Sequence, residues 1–120
     1  MASLMRVAPE LPVKSMPKAL THYERQLGFQ VVMTMPEGDY AIVERDGVAL
    51  HLFETKARSH SPASVHIFAR GLDDLHAELQ ARGANLTQAI VRQPWGTRDF
   101  RVVDPSGNAI KFTEPAGEGA

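Results

Sequence analysis

The sequence predicts an α+β fold: two tandem βαβββ modules forming a curved mixed sheet with helices on the outer face. Three observations predict it. Tyr40–Glu54 (YAIVERDGVALHLFE) and Phe100–Glu114 (FRVVDPSGNAIKFTE) align without a gap at a spacing of sixty residues, so that Tyr40 meets Phe100, Gly47 meets Gly107 and Glu54 meets Glu114. An internal repeat implies that one supersecondary unit is used twice. Each copy reads as an alternating strand, a polar turn carrying Gly and a second alternating strand, which is a hairpin. Upstream of each lies an apolar strand running into a one-sided helical pattern that ends in Gly: LPVKSMPKALTHYERQLGF and VHIFARGLDDLHAELQARGA.

In the opening strand Leu11 and Val13 turn toward the helix, because strand side chains alternate. Ser15 is the expected N-cap, Pro17 suits the first turn, and Gly28 suits the left-handed position after the last. Between them Met16, Ala19, Leu20, Tyr23 and Leu27 form one buried stripe at helical spacing. In the second helix Leu72, Leu75 and Leu79 form the stripe, Asp73 and Asp74 sit at the positive end of the dipole, and Gly83 closes it. The expected organisation is one domain spanning 1–120. Module one covers about 4–56, a linker 57–62, module two about 63–115, and a frayed tail 116–120.

Composition removes several function classes. With no cysteine among 120 residues there is no disulfide and no thiolate metal site, which fits a cytoplasmic protein. A net charge of −1 from 13 basic and 14 acidic residues gives no field that would collect nucleic acid. No apolar run suits a signal peptide or a membrane span, so neither membrane nor nucleic acid is an expected partner. Phosphate-binding Gly loops and nucleophile elbows are also missing.

Both helices are one-sided and cover one face of the sheet, which leaves the opposite face for other use. Parity places Glu10, His51, Phe53, His66, Phe68 and Lys111 on that far face, with Ala49, Ser64, Ala109 and Thr113. One reading is a solvated antiparallel face. The other is a pocket, since ionisable and aromatic residues share one parity on several strands. His51 and His66 also admit an acid–base pairing, although no nucleophile is identifiable and no catalytic residue is assigned. His22, His60 and His76 are expected to be solvated. Trp95, in the loop RQPWG, is read either as a ligand-stacking surface or as a plug at the end of the core.

The combination RGLDDL, QPWG and DPSGN resembles the glyoxalase, bleomycin-resistance and extradiol-dioxygenase (vicinal oxygen chelate) superfamily, and within it the bleomycin-resistance branch. The likeness runs from about Leu4 to Glu114. It implies a homodimer whose second copy completes two symmetric pockets. It also implies four metal-ligand positions, which match Ala8, His51, Ser64 and Lys111. Of these only His51 is an ordinary ligand, and Lys111 puts a positive charge where a cation would sit. The resemblance therefore points to metal-independent binding or sequestration of an aromatic or amphipathic small molecule, with no cofactor and a role in antibiotic resistance. The expected ligand-binding set is Glu10, His51, Phe53, His66, Phe68, Trp95, Arg101 and Lys111. The alternative is a divalent-metal lyase, isomerase or dioxygenase using Glu10, His51 and His66. Drug-binding members of the branch are similar in being strongly acidic, whereas this chain is nearly neutral. A neutral or weakly anionic aromatic ligand is thus as well suited as bleomycin, with Glu10, Glu37, Asp39 and Asp99 the local acidic residues and Arg98, Arg101 and Lys111 the basic ones.

Overall fold

The computed structural model describes residues 1–117, so the end of the expected tail, 118–120, lies outside the described residues. Module one runs β1 (Glu10–Val13), α1 (Met16–Thr21) continued by a π-helical segment (His22–Gln26), β2 (Gln30–Thr34), β3 (Tyr40–Arg45) and β4 (Val48–Glu54). Module two runs β5 (Ser64–Phe68), α2 (Leu72–Ala81), β6 (Leu86–Arg92), β7 (Arg98–Val103) and β8 (Ala109–Glu114). Each module carries its own four-stranded mixed sheet, ordered β1-β4-β3-β2 and β5-β8-β7-β6. The first and last strand of each module pair in parallel, and the remaining pairs are antiparallel.

The parity expected from alternation holds where the helices lie. Leu11, Val13, Leu50, Leu52 and Ile110 are buried beneath the helices, together with Ala41, Val43, Phe100 and Val102. Ser15 caps α1 by accepting from the Lys18 N–H, and the Glu54 carboxylate accepts from the Met16 N–H at 2.9 Å. That backbone bond, ahead of the partial desolvation that opposes it, holds the Glu54 carboxyl below its ordinary range. At the end of α2 the N–H of Ala84 reaches the carbonyl of Leu79 and that of Gly83 reaches Gln80, the paired closure that a left-handed glycine allows.

The histidine expectations need correction. His22 is only 3% exposed, not solvated. The Leu27 N–H bonds the carbonyl of His22, five residues back, and this widened turn rotates His22 onto the buried side with Tyr23, their rings edge to face at 4.9 Å. His60 is half-buried with Nε2 3.0 Å from the carbonyl of Ser106, and His76 packs its ring edge-on against Phe100. Desolvation lowers the His22 pKa below 6.5, outweighing the opposing hydrogen bond to Gln26 and the charge of Asp104. A depressed folded pKa means that the stability contributed by neutral His22 is complete above pH 6.5 and is lost as pH falls toward the folded value. Urea midpoints are therefore expected to drop between about pH 7.5 and about pH 5.5, and His22→Gln to flatten that drop. An unchanged slope in the variant would assign the effect to other groups.

The gapless repeat does not survive as a gapless structural match. In the first hairpin Tyr40 opposes Phe53 across a two-residue turn, Asp46 (φ 52°) and Gly47 (φ 81°), both left-handed as a tight hairpin requires. In the second, Phe100 opposes Phe112, and residues 104–108 form a longer loop held by Asp104. The pairing is displaced by one residue. Asp99, opposite Thr113, therefore occupies the place that Tyr40 holds opposite Phe53, while Phe100 points into the core.

The modules are joined by Arg45, whose guanidinium bonds Glu78 on α2 at 2.8 and 3.0 Å and the carbonyl of Leu27 at 2.8 Å. Gly28 makes room for it, since a Cβ there would lie 2.9 Å from Arg45 Nη1.

Candidate functional site

On the far face of the first sheet, β1 and β4 set Glu10 beside His51, and β3 adds Ile42 opposite His51 and Tyr40 opposite Phe53. The Tyr40 hydroxyl lies 2.7 Å from Glu10 Oε2 and 2.7 Å from His51 Nδ1. One hydroxyl has one proton to give. With the ionised carboxylate taking it, His51 Nδ1 is the donor to the tyrosine oxygen, which leaves His51 Nε2 as an acceptor in the neutral ring. The hydrogen bond to Glu10, then desolvation and the Glu10 charge, hold the Tyr40 hydroxyl above the ordinary phenol range.

The second sheet repeats this lattice with different chemistry. A row runs His66, Lys111, Arg101, Gln88 across β5, β8, β7 and β6. His66 Nδ1 lies 3.0 Å from Thr113 Oγ1, and the His66 and Phe68 rings stack at 6.4 Å. Asp99 is 5% exposed, with one carboxylate oxygen bonded by Gln88 Nε2 and the other by Gln93 Nε2.

The eight residues expected to line the site thus fall into two groups and an outlier. Glu10, His51 and Phe53 share the first sheet, and His66, Phe68, Arg101 and Lys111 share the second. Trp95 stands in the loop between β6 and β7 at 70% exposure, so it is not a plug for the core. Parity places Thr113 on this face, where its hydroxyl meets His66, but passes over Tyr40. Applying the same alternation to β3 would have found Tyr40, one residue before buried Ala41.

Among the described residues no group of three or more His, Asp or Glu is placed to hold a metal ion. Glu10 and His51 stand together, but His66 belongs to the other sheet, and Tyr40 already engages one oxygen of Glu10 and one nitrogen of His51. Two donors are short of the three or four protein ligands that a transition-metal centre requires. The set Glu10, His51 and His66 does not fit a divalent ion within one chain.

A further cavity of about 640 Å³ is lined by residues of both modules, among them Phe29, Val48, Ile67, Phe68, Glu78 and Phe112. No sequence signal pointed to it.

Two modules of this topology, with a polar and aromatic face left open on each sheet, match the family model for the glyoxalase/bleomycin resistance protein/dioxygenase superfamily over residues 4–112. The chain belongs to that superfamily. Bleomycin resistance proteins of Geobacillus stearothermophilus and Staphylococcus aureus are each 30% identical to it over 128 aligned positions, covering 91% of this chain and 96% of theirs. Among solved structures of the superfamily's fold, the bleomycin-binding protein of Streptomyces verticillus, complexed with copper(II)-bleomycin, superposes with a TM-score of 0.80 at 26% identity. That match covers 98% of this chain and 100% of the other. The bleomycin resistance determinant encoded on transposon Tn5 superposes at 0.82 with 22% identity, covering 92% and 98%, and shows the shared fold.

Proposed function

We propose that this chain is a metal-independent, small-molecule-binding protein of the bleomycin-resistance type. It sequesters an aromatic or amphipathic ligand in a groove completed by a second copy of the chain. The observation that carries the reading is the pair of open faces: His51 and Phe53 on one sheet, His66, Phe68, Arg101 and Lys111 on the other, all short of full burial, with Trp95 exposed nearby in sequence to β7. Pockets that hold drug-sized molecules combine such aromatic walls with a few polar groups. The bleomycin resistance relatives and the bleomycin-bound structural neighbour support the ligand class.

Support for a dimer comes from apolar surface that one chain leaves uncovered. Val65 and Ile67 on β5 are half-buried, and Leu4, Met5 and Val7 are more than nine-tenths exposed. The radius of gyration is 15.0 Å, against about 13.6 Å for a compact domain of this length. We read 1–120 as one domain of two modules. It acts in the cytoplasm, where a chain without cysteine has no oxidative folding to complete.

Calorimetric titration with bleomycin and a panel of flat aromatic compounds tests the reading, with light scattering for mass. The expected result is a dimer that binds at least one member, and a Trp95→Ala variant weakened by about 2 kcal/mol, roughly thirtyfold. Silence across the panel would reject it. About one zinc, iron, nickel or manganese per chain in protein purified without added metal would instead favour the lyase, isomerase or dioxygenase reading.

A further inference from the structure

Arg101 on β7 and Lys111 on β8 are direct cross-strand partners on one face. Facing residues in an antiparallel pair have Cβ atoms only about 5 Å apart, and like charges so placed repel. No contact on the protein pairs either charge: among the described residues neither side chain forms an ion pair or a hydrogen bond, and the buried Arg101 Nε has no acceptor. Asp99, two residues from Arg101 along β7, is the nearest acid along that strand, and both its oxygens are taken by Gln88 and Gln93. His66 extends the row on the other side of Lys111, its Nδ1 at Thr113 and its Nε2 not used there. The fold does not demand such a pair, for the matching places on the first sheet hold His51 and Ile42.

We propose that Arg101 and Lys111 form a seat for an anionic oxygen group, and that the ligand is an aromatic acid whose ring lies along His66 and Phe68. An anion placed between the two cations turns their repulsion into two charge-assisted bonds and supplies the acceptor that Arg101 Nε lacks. The stacked His66 and Phe68 rings, with Phe68 64% exposed, offer the adjoining flat surface. This inference rests on the groove reading above and narrows it to an anionic class, the opposite charge from a cationic drug.

The test uses the full chain and three probes of one shape: naphthoate, naphthylmethanol and naphthylmethylammonium. Naphthoate is expected to bind at least about tenfold more tightly than the alcohol, with the ammonium weakest. Lys111→Met and Arg101→Met should each bring naphthoate down to the alcohol's affinity. Their thermal midpoints should rise above that of the parent, because each removes the repulsion, so a loss of binding accompanied by a higher midpoint is not unfolding. Naphthoate binding no tighter than the alcohol would overturn the anion seat and leave the groove reading standing. Failure of all three probes to bind would overturn both.

Discussion

Replacing Asp104 by alanine is expected to cost the fold about 3–5 kcal/mol, out of the roughly 5–15 kcal/mol that separates a domain of this size from its unfolded state. Asp104 is 4% exposed. One carboxylate oxygen accepts from the backbone N–H of Ser106 and of Asn108, at 2.8 and 2.9 Å. The other accepts from the Tyr23 hydroxyl at 2.7 Å and from Asn108 Nδ2 at 2.9 Å. Alanine would strand all four donors, Tyr23 being fully buried, and an orphaned buried donor costs more than the bond it formed. The damage crosses modules, since Asn108 Nδ2 also bonds the carbonyl of Pro12 on β1 and Ser106 Oγ accepts from the Lys14 N–H. Tyr23→Phe removes a single bond and should cost about 1 kcal/mol. Equilibrium urea unfolding of the two variants measures the difference, and equal losses would show that the loop is held without its carboxylate.

The second large effect is expected at Arg98. Its Nη2 donates to Glu114 at 2.6 Å and to Asp73 at 3.0 Å, and Glu114 is 2% exposed. Hydrogen bonds to Asp73 and Glu114 raise the guanidinium pKa further above its ordinary value, and Arg98 in turn lowers the pKa of Asp73. Arg98→Ala leaves the Glu114 carboxylate, 2% exposed, without its cation, and is expected to lower the thermal midpoint by several degrees. Arg98→Met combined with Glu114→Leu should recover most of it, because a buried ion pair can be replaced by apolar packing at little net cost. A double-mutant cycle read by thermal unfolding checks this, and strictly additive losses would rule the pairing out as the source.

The legible parts of the molecule were those governed by local periodicity. Leu11, Val13, Leu50, Leu52 and Ile110 are buried where alternation put them, and Ser15, Gly28 and Gly83 do at the helix ends what their chemistry suits them to do. His22 is not legible in the same way, because a regular 3.6-residue spacing does not hold through a segment that makes one wide turn. The letters align Tyr40 with Phe100, yet the loop around Asp104 encloses more residues than the Asp46-Gly47 turn and displaces the register by one. That displacement sends Phe100 into the core and Asp99 to the face where Tyr40 stands.

The sequence by itself determined the two-module architecture, its capped helices and the parity of β1, β4, β5 and β8, because each depends on neighbours a few residues apart. Tertiary structure alone decided that Glu10, Tyr40 and His51 join in one hydrogen-bonded chain, that Arg101 faces Lys111, and that His66 is parted from Glu10 and His51. These pairings depend on strand register and on loop closure between residues far apart along the chain, and a residue's own periodicity carries no record of either.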